Sequence, residues 1–179
     1  KELLLDSGTY YIAVEATGKT KKGGTDYEVE ISGTTFTKGD PTNNDFSTAE
    51  ELPSDGTARG WVGFGDAVDY YRFTLTQGGF HDFALAAEKG KAALTIYREE
   101  ADGKMKAVGK IQAGKAIEDL ELGKGTYYLQ VQSGDKGKGK KNTDYEVLSD
   151  LTASELGFVS SASGSGAAES WKSGLRTLA

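Results

Sequence analysis

His81 is the only histidine and cysteine is absent, so the residues able to do chemistry are few. Thiolate nucleophiles, disulfides and thiolate metal sites are ruled out at once. So is any site that needs two imidazoles. His81 is followed by Asp82, but neighbours on a strand point to opposite faces, and Phe83 and Leu85 share the face of His81. A His81–Asp82 catalytic pair is therefore sterically disfavoured, and a structural or solvent-facing histidine is expected. Glu50-Glu51 and Glu99-Glu100 are adjacent acids of the kind glycoside chemistry uses in pairs. Side by side on a strand or turn, they read as solvated surface. Asp135 to Lys141 carries four lysines, with Lys19, Lys21 and Lys22 in the equivalent place upstream. Such tips could bind anionic glycans or polymers, but the reading preferred for them is a solvated hairpin loop kept soluble by charge. Trp61, Tyr11, Tyr70, Tyr97 and Tyr128 are candidates for an aromatic platform for sugars or peptides, with Tyr11 and Tyr128 at equivalent outward-facing positions.

Stepping down the chain, short alternating runs must hold these residues. In Asp69 to Thr76, the residues Tyr71, Phe73 and Leu75 share one face, and Arg72, Thr74 and Thr76 the other. Tyr127, Leu129 and Val131 oppose Tyr128, Gln130 and Gln132, and Tyr145 and Val147 oppose Asp144 and Glu146. Further strands are predicted at 58–64, 80–87, 93–98, 105–111 and 116–122. Turn signals separate them at Gly78-Gly79, Ala101-Asp102-Gly103, Gly114 and Gly123-Lys124-Gly125. About eight such strands in about 110 residues predict an all-β fold, two antiparallel sheets packed as a sandwich of jelly-roll or immunoglobulin-like type. The predicted core is Trp61, Tyr71, Phe73, Leu75, Phe83, Leu85, Leu94, Ile96, Ile111, Leu120, Leu122, Tyr127, Leu129, Val131, Tyr145 and Val147.

The chain also repeats itself. Gly8-Thr9-Tyr10-Tyr11-Ile12-Ala13-Val14 returns as Gly125-Thr126-Tyr127-Tyr128-Leu129-Gln130-Val131, and Thr25-Asp26-Tyr27-Glu28-Val29 returns as Thr143-Asp144-Tyr145-Glu146-Val147. The offsets are 117 and 118 residues, which is the length of a module rather than of a solenoid repeat. Residues 39–150 would be one complete copy. Residues 1–33 would be a two-stranded remnant of an upstream sister module, too small to fold alone. Residues 151–179 would be a Ser/Gly/Ala linker and a short amphipathic tail, in which Ala168, Trp171, Leu175 and Leu178 mark one helical face.

Asn43-Asn44-Asp45-Phe46, then Gly60-Trp61-Val62-Gly63 and Asp66-Ala67-Val68-Asp69-Tyr70-Tyr71, then Gly125-Thr126-Tyr127-Tyr128 occur in that order. Together these signals resemble the bacterial pre-peptidase C-terminal domain, over about residues 40–150. The resemblance implies a β-sandwich appended to secreted proteases or repeated in large bacterial surface proteins. It also implies calcium, as in the collagenase branch, held by acidic and amide side chains before the first strand and by the Asp-x-x-Asp turn. The corresponding residues are Asp40, Asn43, Asn44, Asp45, Asp66 and Asp69. Calcium takes six to eight oxygen ligands, so this oxygen-rich set is chemically sufficient. Asp40-Pro41-Thr42 stands where collagenase-branch members carry Glu-Pro directly before the Asn pair.

Composition narrows the function. The net charge of −6 and pI of about 4.9 disfavour a nucleic-acid partner. The apolar runs are too short to span a membrane. The expectation is a non-catalytic, extracellular or cell-surface module for adhesion or spacing, with neighbouring modules of the same polypeptide as partners and an extracellular protein or polysaccharide as ligand. The alternative is an accessory domain of an extracellular protease, aiding substrate binding or secretion.

Overall fold

The computed structural model describes residues 5, 8–15, 26–32, 42–138 and 140–157. The chain divides into two units, Lys1–Lys38 and Gly39–Ala179. Asp40, Lys19, Lys21, Lys22 and the expected helical tail around Trp171 lie outside the described residues.

The second unit is a sandwich of nine strands: β1 (Glu50–Glu51), β2 (Thr57–Val62), β3 (Val68–Leu75), β4 (Gly79–Ala87), β5 (Ala92–Glu99), β6 (Met105–Gln112), β7 (Lys115–Leu122), β8 (Gly125–Ser133) and β9 (Thr143–Ser149). One sheet runs β1-β3-β8-β5-β6 and the other β2-β9-β4-β7. Every pairing is antiparallel except that of β1 with β3. Among sequence neighbours, only β5 and β6 form a hairpin within one sheet. After β2, the other connections cross from sheet to sheet, and glycines make the turns. Gly114, between β6 and β7, has φ 75°, a conformation that a β-carbon disfavours.

The period-two alternation does its work between the layers. Phe73 stacks on Tyr127 with centroids 5.4 Å apart, and Phe83 reaches Phe73 from the opposite sheet at 6.2 Å. Leu75, Leu85, Leu94, Ile96, Leu129, Val131 and Val147 are fully buried around them. The expected core forms with one exception. Leu120 is only half-buried, because it lies on edge strand β7 and packs against the rim of the cluster. Tyr128, expected on the outer face, is buried there, and so is Tyr70. Phe46 lies over them with centroids 5.3 and 4.6 Å away.

The first unit is different. Its described residues 8–15 and 26–32 are exposed and belong to neither helix nor strand. The two strands expected within residues 1–33 are thus not formed among the described residues. The matching strands β8 and β9 lie in opposite sheets. β8 pairs with β3 and β5, whereas β9 pairs with β2 and β4. They make no hairpin with each other.

Candidate functional site

The segment before β1 and the turn before β3 meet at one end of the sandwich. The Tyr70 amide donates to the Asn43 carbonyl at 2.8 Å. Asn43 and Asp69 line one cleft of about 370 Å³, together with Glu50, Arg59, Gly60, Trp61, Tyr71 and Asp144. Asn43, Asp66 and Asp69 are buried. Gly63 and Asp66 close the turn through paired backbone hydrogen bonds, and the Phe64 amide donates to the Asn142 side chain at 3.0 Å.

The most telling group at this end is a tyrosine. The Tyr145 hydroxyl donates to the Asp69 carboxylate and lies 2.8 Å from the Tyr71 hydroxyl, while Tyr71 donates to the Arg59 carbonyl at 3.4 Å. Burial pushes the Tyr145 phenol well above its ordinary range, and the neighbouring Tyr71 and Asp69 push it further. Its ring lies over Gly60, the residue opposite it on β2, where a methyl group would collide with the phenol. Arg59 and Glu146 form an ion pair just outside. The hydroxyl chain was not apparent in the sequence. Alternation marked Tyr71 and Tyr145 as core, but it says nothing about where a buried hydroxyl finds its partner.

The six expected calcium ligands are distributed as follows. Asn43 and Asp69 come together. Asp66 is buried three residues before Asp69. The Asn44 side-chain oxygen is buried with no hydrogen-bond partner. Asp45 is engaged by its own turn: Oδ1 accepts from the Ser47 amide, the Ser47 hydroxyl and the Thr48 amide. The Ser47 hydroxyl and amide chiefly hold its pKa below the ordinary value. Asp40 lies outside the described residues. Among the described residues, no three His, Asp or Glu side chains converge as a metal-binding group. Of the expected ligands, Asn43 and Asp69 alone line the cleft together.

The remaining chemical candidates are engaged elsewhere. His81 is buried at 3% exposure, with Nδ1 3.5 Å from Asp150 Oδ1 and Nε2 without a hydrogen-bond partner. Asp82 instead accepts from the Asp119 amide at 2.9 Å. Glu51 binds Arg72, whereas Glu50 lines the cleft. Glu99 accepts from the Tyr128 hydroxyl at 3.5 Å, and Glu100 pairs with Lys106 at 3.7 Å. Neither adjacent acid pair acts as a pair. In the lysine loop, Asp135 accepts from the Lys140 amide and from the Ser133 hydroxyl. Burial raises its pKa, but Ser133 and the loop amides outweigh it, and the carboxyl ends below its ordinary value. Of the aromatic platform, Tyr70, Tyr97 and Tyr128 do gather on one sheet face, with Phe46 seated among them. Trp61 lies instead at the cleft, and Tyr11 belongs to the first unit.

No protein-family model matches the sequence, and no curated protein matches it. Among solved structures, the chain is similar to the pre-peptidase C-terminal domain of a collagenase from Bacillus anthracis. The two are 22% identical with a TM-score of 0.44, over 60% of this chain and 99% of that one. It is also similar to the Yersinia pseudotuberculosis-derived mitogen: 13% identity, TM-score 0.42, 62% of this chain and 89% of that one. A periplasmic inhibitor of g-type lysozyme from Salmonella Typhimurium matches at 15% identity with a TM-score of 0.34, over 56% of this chain and 97% of that one. No helix among the described residues is long and apolar enough to cross a membrane.

Proposed function

We propose that this chain is a non-catalytic β-sandwich module of a secreted or cell-surface bacterial protein, acting as a spacer or in adhesion and built on the pre-peptidase C-terminal plan. The observation that carries the reading is the recurrence of the β8 and β9 sequences in residues 8–14 and 25–29. Two matched blocks one module length apart favour an array, and arrays multiply weak contacts through effective concentration. Residues 1–33 are then the closing strands of a sister module, and neighbouring modules of the same polypeptide are the first partners. The engagement of His81, Glu51, Glu99 and Glu100 in structural contacts supports a role without catalysis.

The parent gene tests this. An Asp-x-x-Asp-Tyr-Tyr motif is expected upstream, as far before Tyr10 as Asp66 to Tyr71 lies before Tyr127. A protease domain directly upstream, with no such motif, would favour the accessory role instead.

Calcium belongs to the same proposal. Asn43, Asn44, Asp66 and Asp69 would hold it, and it would tie the segment before β1 to the turn before β3. The thermal midpoint should fall by several degrees in excess chelator and return with added calcium. An unchanged midpoint, with no ion retained, removes calcium from the account.

A further inference from the structure

We infer that the lysines of two loops, those joining β4 to β5 and β8 to β9, form one cationic surface that binds an anionic polysaccharide. The inference rests on the adhesive-module reading above and names a ligand for it.

The lysine run after β8 reads, on its own, as a solvated loop. The structure joins it to a second basic loop. The Gly134 amide donates to the Lys91 carbonyl at 2.7 Å, and the Glu88 amide donates to the Thr143 hydroxyl at 3.3 Å. Gly134 permits that approach, because a β-carbon there would lie 2.7 Å from the Gly90 carbonyl oxygen. The loop of Lys89 and Lys91 thus runs beside that of Lys136, Lys138, Lys140 and Lys141. Against these six lysines the two loops carry two acids, Glu88 and Asp135. The whole chain has a net charge of −6, so the cationic character is local to this end of the sandwich.

The two acids leave most of that charge unpaired. Asp135 turns into its own loop, where Oδ1 accepts from the Ser133 hydroxyl at 2.8 Å and Oδ2 from the Lys140 amide at 2.6 Å. Its carboxylate fastens the backbone from which the lysines project. Glu88 pairs with Lys91 at 2.7 Å. Among the described residues, the other five lysines make no ion pair. Of the neighbouring acids, Asp66 is buried and Asp144 lines the cleft.

The residue types select the polymer. Neither loop contains arginine, the side chain that grips a single carboxylate or phosphate with two bonds. Lysines are point charges on flexible stems, suited to many spaced anions. Neither loop contains an aromatic residue on which a nucleic-acid base could stack. The one exposed large apolar side chain among the sandwich's described residues, Phe80, lies at the opposite end of β4, so a lipid surface finds no anchor here. A chain of sugars bearing repeated sulfates or carboxylates needs neither stacking nor insertion.

The test uses the full chain with heparin, a sulfated polysaccharide, and polygalacturonate, a carboxylated one, at about 0.15 M salt. Binding to at least one is expected. Lys138→Gln with Lys140→Gln should weaken it at least about tenfold and flatten its dependence on salt. Lys89→Gln alone should weaken it severalfold, because the second loop shares the surface. Lys104→Gln with Lys124→Gln, at the opposite end of the sandwich, should leave it unchanged. All five lysines are exposed, so the thermal midpoint should stay where it is. Four results would each overturn the inference: no binding to either polysaccharide; full binding by the Lys89→Gln chain; an equal loss from the Lys104 and Lys124 pair; or DNA or phosphatidylserine vesicles held as tightly. The module reading would survive any of them, because the upstream gene sequence decides it separately.

Discussion

Tyr145 joins the two sheets at a single hydroxyl. It sits on β9, yet its partners Asp69 and Tyr71 belong to β3 in the opposite sheet. Tyr145→Phe keeps the ring over Gly60 and removes only that link, leaving a buried carboxylate short of a donor. The expected loss is about 1–3 kcal/mol, read from chemical denaturation. The same residue sets an alkaline limit. Its folded pKa lies above the ordinary 10.0, with burial as the main cause. A group raised in this way contributes its full stability below the unfolded pKa and loses it as pH rises towards the folded value. The denaturation midpoint should therefore decline above about pH 10, and Tyr145→Phe should flatten that decline. A phenylalanine variant with unchanged stability and pH profile would contradict the role of the hydroxyl. Phe46 acts by covering. It sits among Tyr70, Tyr97 and Tyr128, so Phe46→Ala should expose that face and cost about 1–2 kcal/mol, below the ~3–5 of a fully buried phenylalanine. The residue types at these positions were legible in the sequence, but their partners were not. A loop phenylalanine has no period to betray what it covers, and Tyr128 therefore reads as outward-facing until Phe46 is placed on it.

Strand positions were legible because alternation and glycine turns are local signals; pairing was not, because it depends on distant residues. The short β1 shows the limit. Two exposed glutamates carry no strand signal, and only the parallel pairing with Tyr71 and Arg72 makes them one. The edges carry their own protection. On β7, Asp119 has φ 53° and its amide is held by the Asp82 side chain, where the register with β4 shifts between His81 and Phe83. On β6, the register with β5 shifts between Ile96 and Tyr97. Bulges and lysines both discourage edge-to-edge pairing, and Lys106, Lys110 and Lys115 stand on these strands. Replacing Lys106 and Lys110 with valine should promote concentration-dependent association, visible as a rising mass in light scattering. A variant that stays monomeric up to millimolar concentration would show that the bulges suffice alone.

At the scale of the molecule, the two units differ in what they bury. The sandwich buries its apolar face, whereas residues 8–15 and 26–32 carry the same kind of side chains exposed. The repeat itself was legible, because it is an identity of residues. That its two strands belong to opposite sheets was not, since strand order within a sheet leaves no mark on a single sequence. The expected calcium ligands were legible only as a set of oxygens; the structure places Asn43 and Asp69 at the cleft and holds Asp45 in its own capped turn. Hydrogen exchange across the full chain tests the central claim most directly. The account predicts that amides of residues 8–15 and 26–32 exchange near unprotected rates, while their counterparts in β8 and β9 are among the slowest. Protection in the front segment equal to that of β8 and β9 would contradict it.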